Sequence, residues 1–174
     1  MTQVPLVLRG LPPLLDVNTR LVVLGSFPGV ASLRTQQYYG HPQNQFWKIM
    51  ATLLSPNAME VLALPYADRA QWLLNQGVGL WDVYAACVRE GSLDTNIQNA
   101  QPNDLLGLRT RCPNLVAIAH NGGESFKHAK LTQALGVSVY RLPSTSPAHA
   151  SWRLAQKLEA WREVLILSGL DVLI

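Results

Sequence analysis

Apolar runs alternate with polar, glycine-rich breaks along most of the chain. Leu21-Val22-Val23-Leu24 is four apolar residues long and runs directly into Gly-Ser-Phe-Pro-Gly, so it predicts a strand buried on both faces. Phe46 to Leu54 and Tyr66 to Asn75 carry helical spacing, the second stopped by Gly77. Val78 to Val83 predicts a second strand, followed by the polar stretch Arg89 to Asn99, which has no period and reads as a loop. Leu115 to Ala119 predicts a third strand, ending near Asn121-Gly122-Gly123, with a helix over Glu124 to Leu135 closed by Gly136. Val137 to Leu142 predicts a fourth strand, then the loop Pro143 to Pro147 and a long helix from about Ala148 to Leu167.

Strands alternating with helices predict an α/β fold: three layers, α/β/α, around a central, mostly parallel four-stranded sheet. No repeat, low-complexity tract or linker divides the 174 residues, so one domain is expected. Three loops then follow strand ends: Gly25 onward, His120 onward and Pro143 onward. In such sheets, loops beyond the carboxyl ends of strands meet on one rim, where ligands bind.

Composition narrows the chemistry. A hydrophobic fraction of 48% with 14% charged residues belongs to a folded chain rather than a disordered one. No apolar run reaches the ~20 residues of a membrane span, and the N-terminus does not read as a signal peptide, so a cytoplasmic protein without membrane partners is expected. Cys87 and Cys112 are too few for a disulfide framework, a four-cysteine zinc site or an iron–sulfur cluster. His41, His120, His128 and His149 lack the spacing of a helical metal pair. No metal and no cofactor are expected. The net charge of +3 suits an anionic partner such as nucleic acid.

GSFPG is not a dinucleotide fingerprint, and neither a P-loop nor a GxSxG nucleophile elbow occurs. The remaining loop chemistry is amides, aromatics and hydroxyls, concentrated between Gly25 and Trp47. A ring offers a stacking face and an amide a paired donor and acceptor, which suits a flat heteroaromatic base.

GSFPG, HPQNQFW (His41 to Trp47) and LPSTSP (Leu142 to Pro147) together resemble the uracil-DNA glycosylase superfamily, most closely its hypoxanthine- or deoxyinosine-directed branch. The resemblance spans about Leu21 to Trp161. It implies a monofunctional DNA glycosylase that hydrolyses the N-glycosidic bond of deaminated bases, hypoxanthine first and uracil second, acting on DNA as a monomer in base excision repair. In the mismatch-specific branch the first block reads G-I-N-P-G, with the Asn positioning the attacking water; Phe27 stands there in this chain. The resemblance therefore moves water positioning to Asn44.

It further implies Gly25 and Ser26 backbone donors for the leaving base, Asn121 as a base-reading amide, Tyr39 as the stacking aromatic and Phe27 as a second wall. Ser144, Ser146 and the following helix N-terminus would contact DNA phosphate, and His149 would act as a wedge or sugar contact. Lys48, Lys127, Lys130 and Lys157 lie in predicted helices outside the three loops, consistent with the absence of a Schiff-base nucleophile.

Simpler roles stand beside these. Asn44 can cap the Phe46 helix and Asn121 can make a turn. Tyr38 and Tyr39 can pack in the core, and His41 reads as a hydrogen bond to loop backbone. Asp82 reads as a buried carboxylate bonded to loop backbone, with water activation as its alternative. Arg89, Glu90 and Asp94 read as solvated, with Arg89 able to meet phosphate. A silent DNA-binding module marked by Phe27, and a small-molecule nucleoside N-ribohydrolase, are the competing functions.

Overall fold

In a computed structural model, which describes residues 2–173, the elements run β1 (Leu8–Arg9), β2 (Leu21–Gly25), α1 (Val30–Thr35), α2 (Phe46–Leu54), α3 (Ala58–Ala63) and α4 (Tyr66–Asn75). They continue with β3 (Val78–Asp82), β4 (Tyr84–Val88), β5 (Gln98–Pro102), α5 (Leu108–Arg111), β6 (Ala117–Asn121), α6 (Gly123–Phe126), α7 (Ala129–Gln133), β7 (Ser138–Leu142) and α8 (Leu154–Leu167). The main sheet is parallel, in the order β3-β2-β6-β7. Its first strand is central: the chain leaves β2 for one side and later reaches β6 on the other. The crevice beyond their carboxyl ends is a topological switch point.

β2 and β3 are buried at every position, because successive side chains enter opposite packed layers. Leu21 and Val23 meet Val78, Leu80 and the α2 and α8 residues Phe46, Ile49, Met50, Leu53, Trp161 and Leu165. Val22 and Leu24 meet Trp81, Ile118, Leu105, Leu108, Cys112 and Leu115 on the other side. Two cores thus share one sheet. The free edge of β3 is closed by Leu14, which exchanges both backbone hydrogen bonds with Leu80 at 2.8 and 2.9 Å. Leu14 and Leu15 pass so close that a side chain at Gly79 would overlap them.

Several sequence expectations need correction. The third strand starts two residues later, at Ala117, because Leu115 turns into the second core instead of pairing. The helix expected over Glu124 to Leu135 breaks into α6 and α7. The last helix starts at Leu154 rather than Ala148: the Ser146 hydroxyl accepts the Ala148 N–H and ties the segment into turns. Its first turn is capped by Gln156, whose Oε1 accepts the Arg153 N–H at 2.8 Å. The segment after β3 contributes β4 and β5, which form a small antiparallel sheet with β1. β5 is exposed along its length and carries no apolar alternation to announce it.

Behind β6, fully buried His120 holds the layers together. Its Nδ1 meets Ser125 Oγ and its Nε2 meets Thr132 Oγ1, both at 2.8 Å. Those hydroxyls also face Leu24 O at 2.7 Å and Ala129 O at 3.1 Å. Burial, then neighbouring His128, pushes the imidazole down to about 4, so it is neutral with one N–H. One ring nitrogen carries the proton, so the imidazole donates to one of these hydroxyls and accepts from the other.

Candidate active site

The loops beyond β2, β6 and β7 converge as expected. With the 92–95 segment and residues 38–44 they enclose a cleft of about 410 Å³, within the ~300–1,000 Å³ range of small-molecule sites. Every residue proposed from sequence borders it: Gly25, Ser26, Phe27, Tyr39, Asn44, Asn121, Ser144, Ser146 and His149. Asp82 and Asp94 border it too, and none of the four lysines does.

Asn44 ends the amide-rich loop. Its Oδ1 accepts the Phe46 N–H at 3.0 Å, in the manner of a helix cap, and its own N–H donates to His41 O at 2.9 Å. Capping fixes the rotamer without exhausting the amide: the second Oδ1 lone pair and both Nδ2 protons have no protein partner among the described residues. Gln45, next in sequence, donates its N–H to Thr145 O at 3.0 Å. The start of α2 is thereby tied to the 143–147 loop.

Thr145 escaped the sequence reading, and it is the junction of the site. Fully buried, it donates its N–H to Asn121 Oδ1 and accepts Asn121 Nδ2 at its hydroxyl, both at 3.0 Å. Asn121 is thus a clamp between β6 and the third loop, the simpler of the roles expected for it. The next residue, Gly122, has φ of 98° and lies so near Ser144 that a Cβ would sit 3.1 Å from the serine Cβ. Only glycine suits that turn. Ser144 and Ser146 accept the N–H groups of Ser146 and Ala148. Each hydroxyl acts as an acceptor there and keeps its own proton for an outside group such as phosphate. The delayed start of α8 removes its N-terminus from this loop. His149 is half-buried, its Nε2 enclosed without a partner, while its carbonyl accepts buried Lys157 Nζ at 2.9 Å.

The two tyrosines part ways. Tyr38 is core, its hydroxyl donating to Pro12 O at 2.7 Å. Tyr39 turns to the cleft through a left-handed backbone, φ 54°, and stacks one ring face on Phe46 at 4.2 Å. That face is thereby covered. Phe27 touches the cleft, but its ring is 6% exposed and packed in the second core with the Arg89 guanidinium above it. His41 accepts the Gln43 N–H at Nδ1, as the sequence predicts.

Arg89 is not a solvated loop residue. It is buried, donating to Pro28 O at 2.6 Å and Gly91 O at 2.8 Å, and so braces the first loop. The sequence offered no sign of this, since both acceptors are backbone carbonyls reached through the fold. Asp94 accepts the Ser26 hydroxyl at 2.6 Å.

Asp82 departs furthest from expectation. It ends β3 directly beside Gly25. The carboxyl is 5% exposed, and Oδ2 is enclosed without a hydrogen bond; the loop contact, from Asn103 Nδ2, goes to the backbone carbonyl instead. Burial, reinforced by the charge of Asp94 and opposed by Arg89, pushes the carboxyl up to about 7. Above Gly25 the Tyr39 hydroxyl is likewise buried and unpartnered; burial, then Asp82, opposed by the Asn121 amide, holds its pKa above the ordinary phenol value. A Cβ on Gly25 would strike Asp82 Oδ1 and lie 3.4 Å from that hydroxyl. The cleft floor therefore holds two enclosed polar atoms, Asp82 Oδ2 and the Tyr39 hydroxyl, without a hydrogen-bond partner among the described residues.

Comparison with known proteins agrees with this geometry. The family model described as the uracil DNA glycosylase superfamily matches residues 12–165. Two curated relatives are both named hypoxanthine DNA glycosylase. That of Methanosarcina barkeri is 35% identical over 155 residues, 89% of this chain and 96% of the relative. That of Methanosarcina acetivorans is 36% identical over 156 residues, 90% and 96% respectively. The solution NMR structure of a Methanosarcina acetivorans protein, described as a candidate uracil DNA glycosylase, superposes with a TM-score of 0.81 at 34% identity. It covers 94% of this chain and 99% of that one.

Proposed function

Because this chain belongs to the uracil DNA glycosylase superfamily, we propose that it is a monofunctional DNA glycosylase that excises hypoxanthine from deoxyinosine, with uracil as a slower substrate. The base leaves the duplex, enters the cleft and is released by hydrolysis of its N-glycosidic bond, leaving an abasic site.

The observation that carries this reading is Asn44 at the cleft wall, locked by its bond to the Phe46 N–H with amide capacity to spare. A fixed amide orients a water toward the sugar C1′, though it abstracts little of the proton. The barrier falls mainly through stabilising the departing base and the oxocarbenium-like sugar in a site that excludes water. Tyr39 turns its hydroxyl toward the base from the cleft floor, and Asn121 offers its remaining donor and acceptor. Ser144, Ser146 and His149 meet the DNA strand at the rim. The monofunctional assignment rests on a cleft lined by no lysine.

Single-turnover excision from oligonucleotides carrying deoxyinosine tests the proposal. Asn44→Ala should slow cleavage by ~100-fold or more while duplex affinity is retained. Asn44→Ser keeps an acceptor for the Phe46 N–H, so it should restore stability and not rate. A wild type that binds duplex tightly and excises neither base would sink the proposal.

A further inference from the structure

We propose that Asp82 is the general acid of the reaction, protonating the departing purine at N7 while the Tyr39 hydroxyl donates to O6. This rests on hypoxanthine excision as proposed above and names how that base is made to leave. The Asp82 carboxyl and the Tyr39 phenol flank the vacant side of Gly25, the carboxyl through Oδ1; its other oxygen, Oδ2, and the phenol hydroxyl are enclosed without a hydrogen-bond partner among the described residues. As a carboxylic acid and a phenol they are two donors, each within 3.4 Å of the point where a Gly25 Cβ would stand. Hypoxanthine, like guanine, presents two acceptors side by side, N7 and O6, whereas adenine has a donor in place of O6. The donor pair matches the deaminated base and mismatches its parent.

The surroundings favour the protonated carboxyl. Arg89 faces it from the segment after β4, but its bonds go to Pro28 O and Gly91 O and not to the carboxyl. Asp94, on the same segment, adds negative charge. Tyr39 and Tyr38 face it from the loop before α2, and both phenols are held neutral by burial. From β6, His120 is neutral and bonded to Ser125 and Thr132, and Glu124 of α6 acts on Asp94. Bound DNA brings phosphate charge and expels water, which raises the carboxyl further from its ordinary range.

The step balances. The C1′–N9 bond breaks with its electron pair going to the base, and the Asp82 proton goes to N7. Hypoxanthine thus leaves as a neutral tautomer. The water oriented by Asn44 adds to C1′ and releases one proton to solvent, and Asp82 regains one from solvent.

The test is single-turnover excision across pH 5 to 9, with deoxyinosine and with 7-deaza-2′-deoxyinosine, by wild type and Asp82→Asn. Fluorescence anisotropy confirms that each duplex is bound. The wild-type rate should be level on the acid side and fall tenfold per pH unit above the carboxyl's pKa. Asp82→Asn keeps hydrogen bonding but has no proton to transfer; it should be ~10²–10⁴-fold slower with a level profile. The 7-deaza base, lacking the acceptor, should slow the wild type comparably and erase the difference between the two proteins. If Asp82→Asn fails to fold, the wild-type pH profile and the 7-deaza comparison still decide. An undiminished Asp82→Asn, a rate that rises with pH through Asp82, or a 7-deaza base excised at full rate each overturns the general acid and leaves the glycosylase standing. A wild type that excises no deoxyinosine overturns both.

Discussion

Gly25 is the residue on which the cleft floor depends. It pairs with Asp82 across β2 and β3, and its missing side chain is the space between Asp82 Oδ1 and the Tyr39 hydroxyl. Gly25→Ala should push the carboxyl aside, costing ~1–3 kcal/mol through overpacking and most of the excision rate; urea unfolding and single-turnover kinetics measure the two effects separately. The GSFPG turn is readable in the sequence as a binding loop, because glycine beside a strand end signals close backbone approach. That the group approaching is Asp82 is not readable, since the two residues are 57 positions apart and meet only through strand register.

At the scale of elements, Thr145 joins three pieces: the end of β6 through Asn121, the start of α2 through Gln45, and its own loop. Thr145→Val preserves shape and removes the hydroxyl, so the buried Asn121 Nδ2 loses its acceptor. The expected loss is ~1–3 kcal/mol, which calorimetry would register as a melting point lowered by several degrees. DNA affinity should fall as well, because Ser144 and Ser146 lose their anchor. LPSTSP is recognisable as a functional loop, but nothing in its letters separates the buried threonine from the two serines facing the cleft. Propensity failed in the same place: residues 148–153 read as helix and are held in turns.

Across the whole molecule, two buried groups titrate in opposite senses. Asp82 is raised from 3.8 to about 7, so its contribution to stability is complete below about pH 3.8 and lost as pH rises through 7. His120 is lowered from 6.5 to about 4, so its contribution is complete above pH 6.5 and lost as pH falls through 4. Between about pH 4 and 6.5 the two slopes oppose each other. Asp82→Asn leaves the His120 slope unmasked. The unfolding free energy of that variant should rise with pH over this window by on the order of 2–3 kcal/mol more than that of the wild type, measured by denaturant titration at several pH values. Above pH 7 the variant should be the more stable protein, since a buried carboxylate no longer has to ionise.

The linear pattern of residues was sufficient for the parallel sheet, its four strands and the convergence of three loops, because periodicity and loop chemistry are local properties; the family was legible as a resemblance carried by GSFPG, HPQNQFW and LPSTSP. It also placed Asn44, Tyr39 and Ser144 on one rim. Which polar groups there have partners was decided by tertiary packing. Asn121 meets Thr145, Arg89 meets two backbone carbonyls, and Asp82 Oδ2 meets no partner among the described residues, because a hydrogen-bond partner is a matter of position in space. The exposed strand β5 and the late start of α8 belong to the same class: contacts distant in sequence outweigh weak local preference. A carboxyl with an ordinary pKa in the unfolded chain becomes a proton donor near neutral pH only when the fold takes away its water and commits the nearby cation, Arg89, to backbone carbonyls.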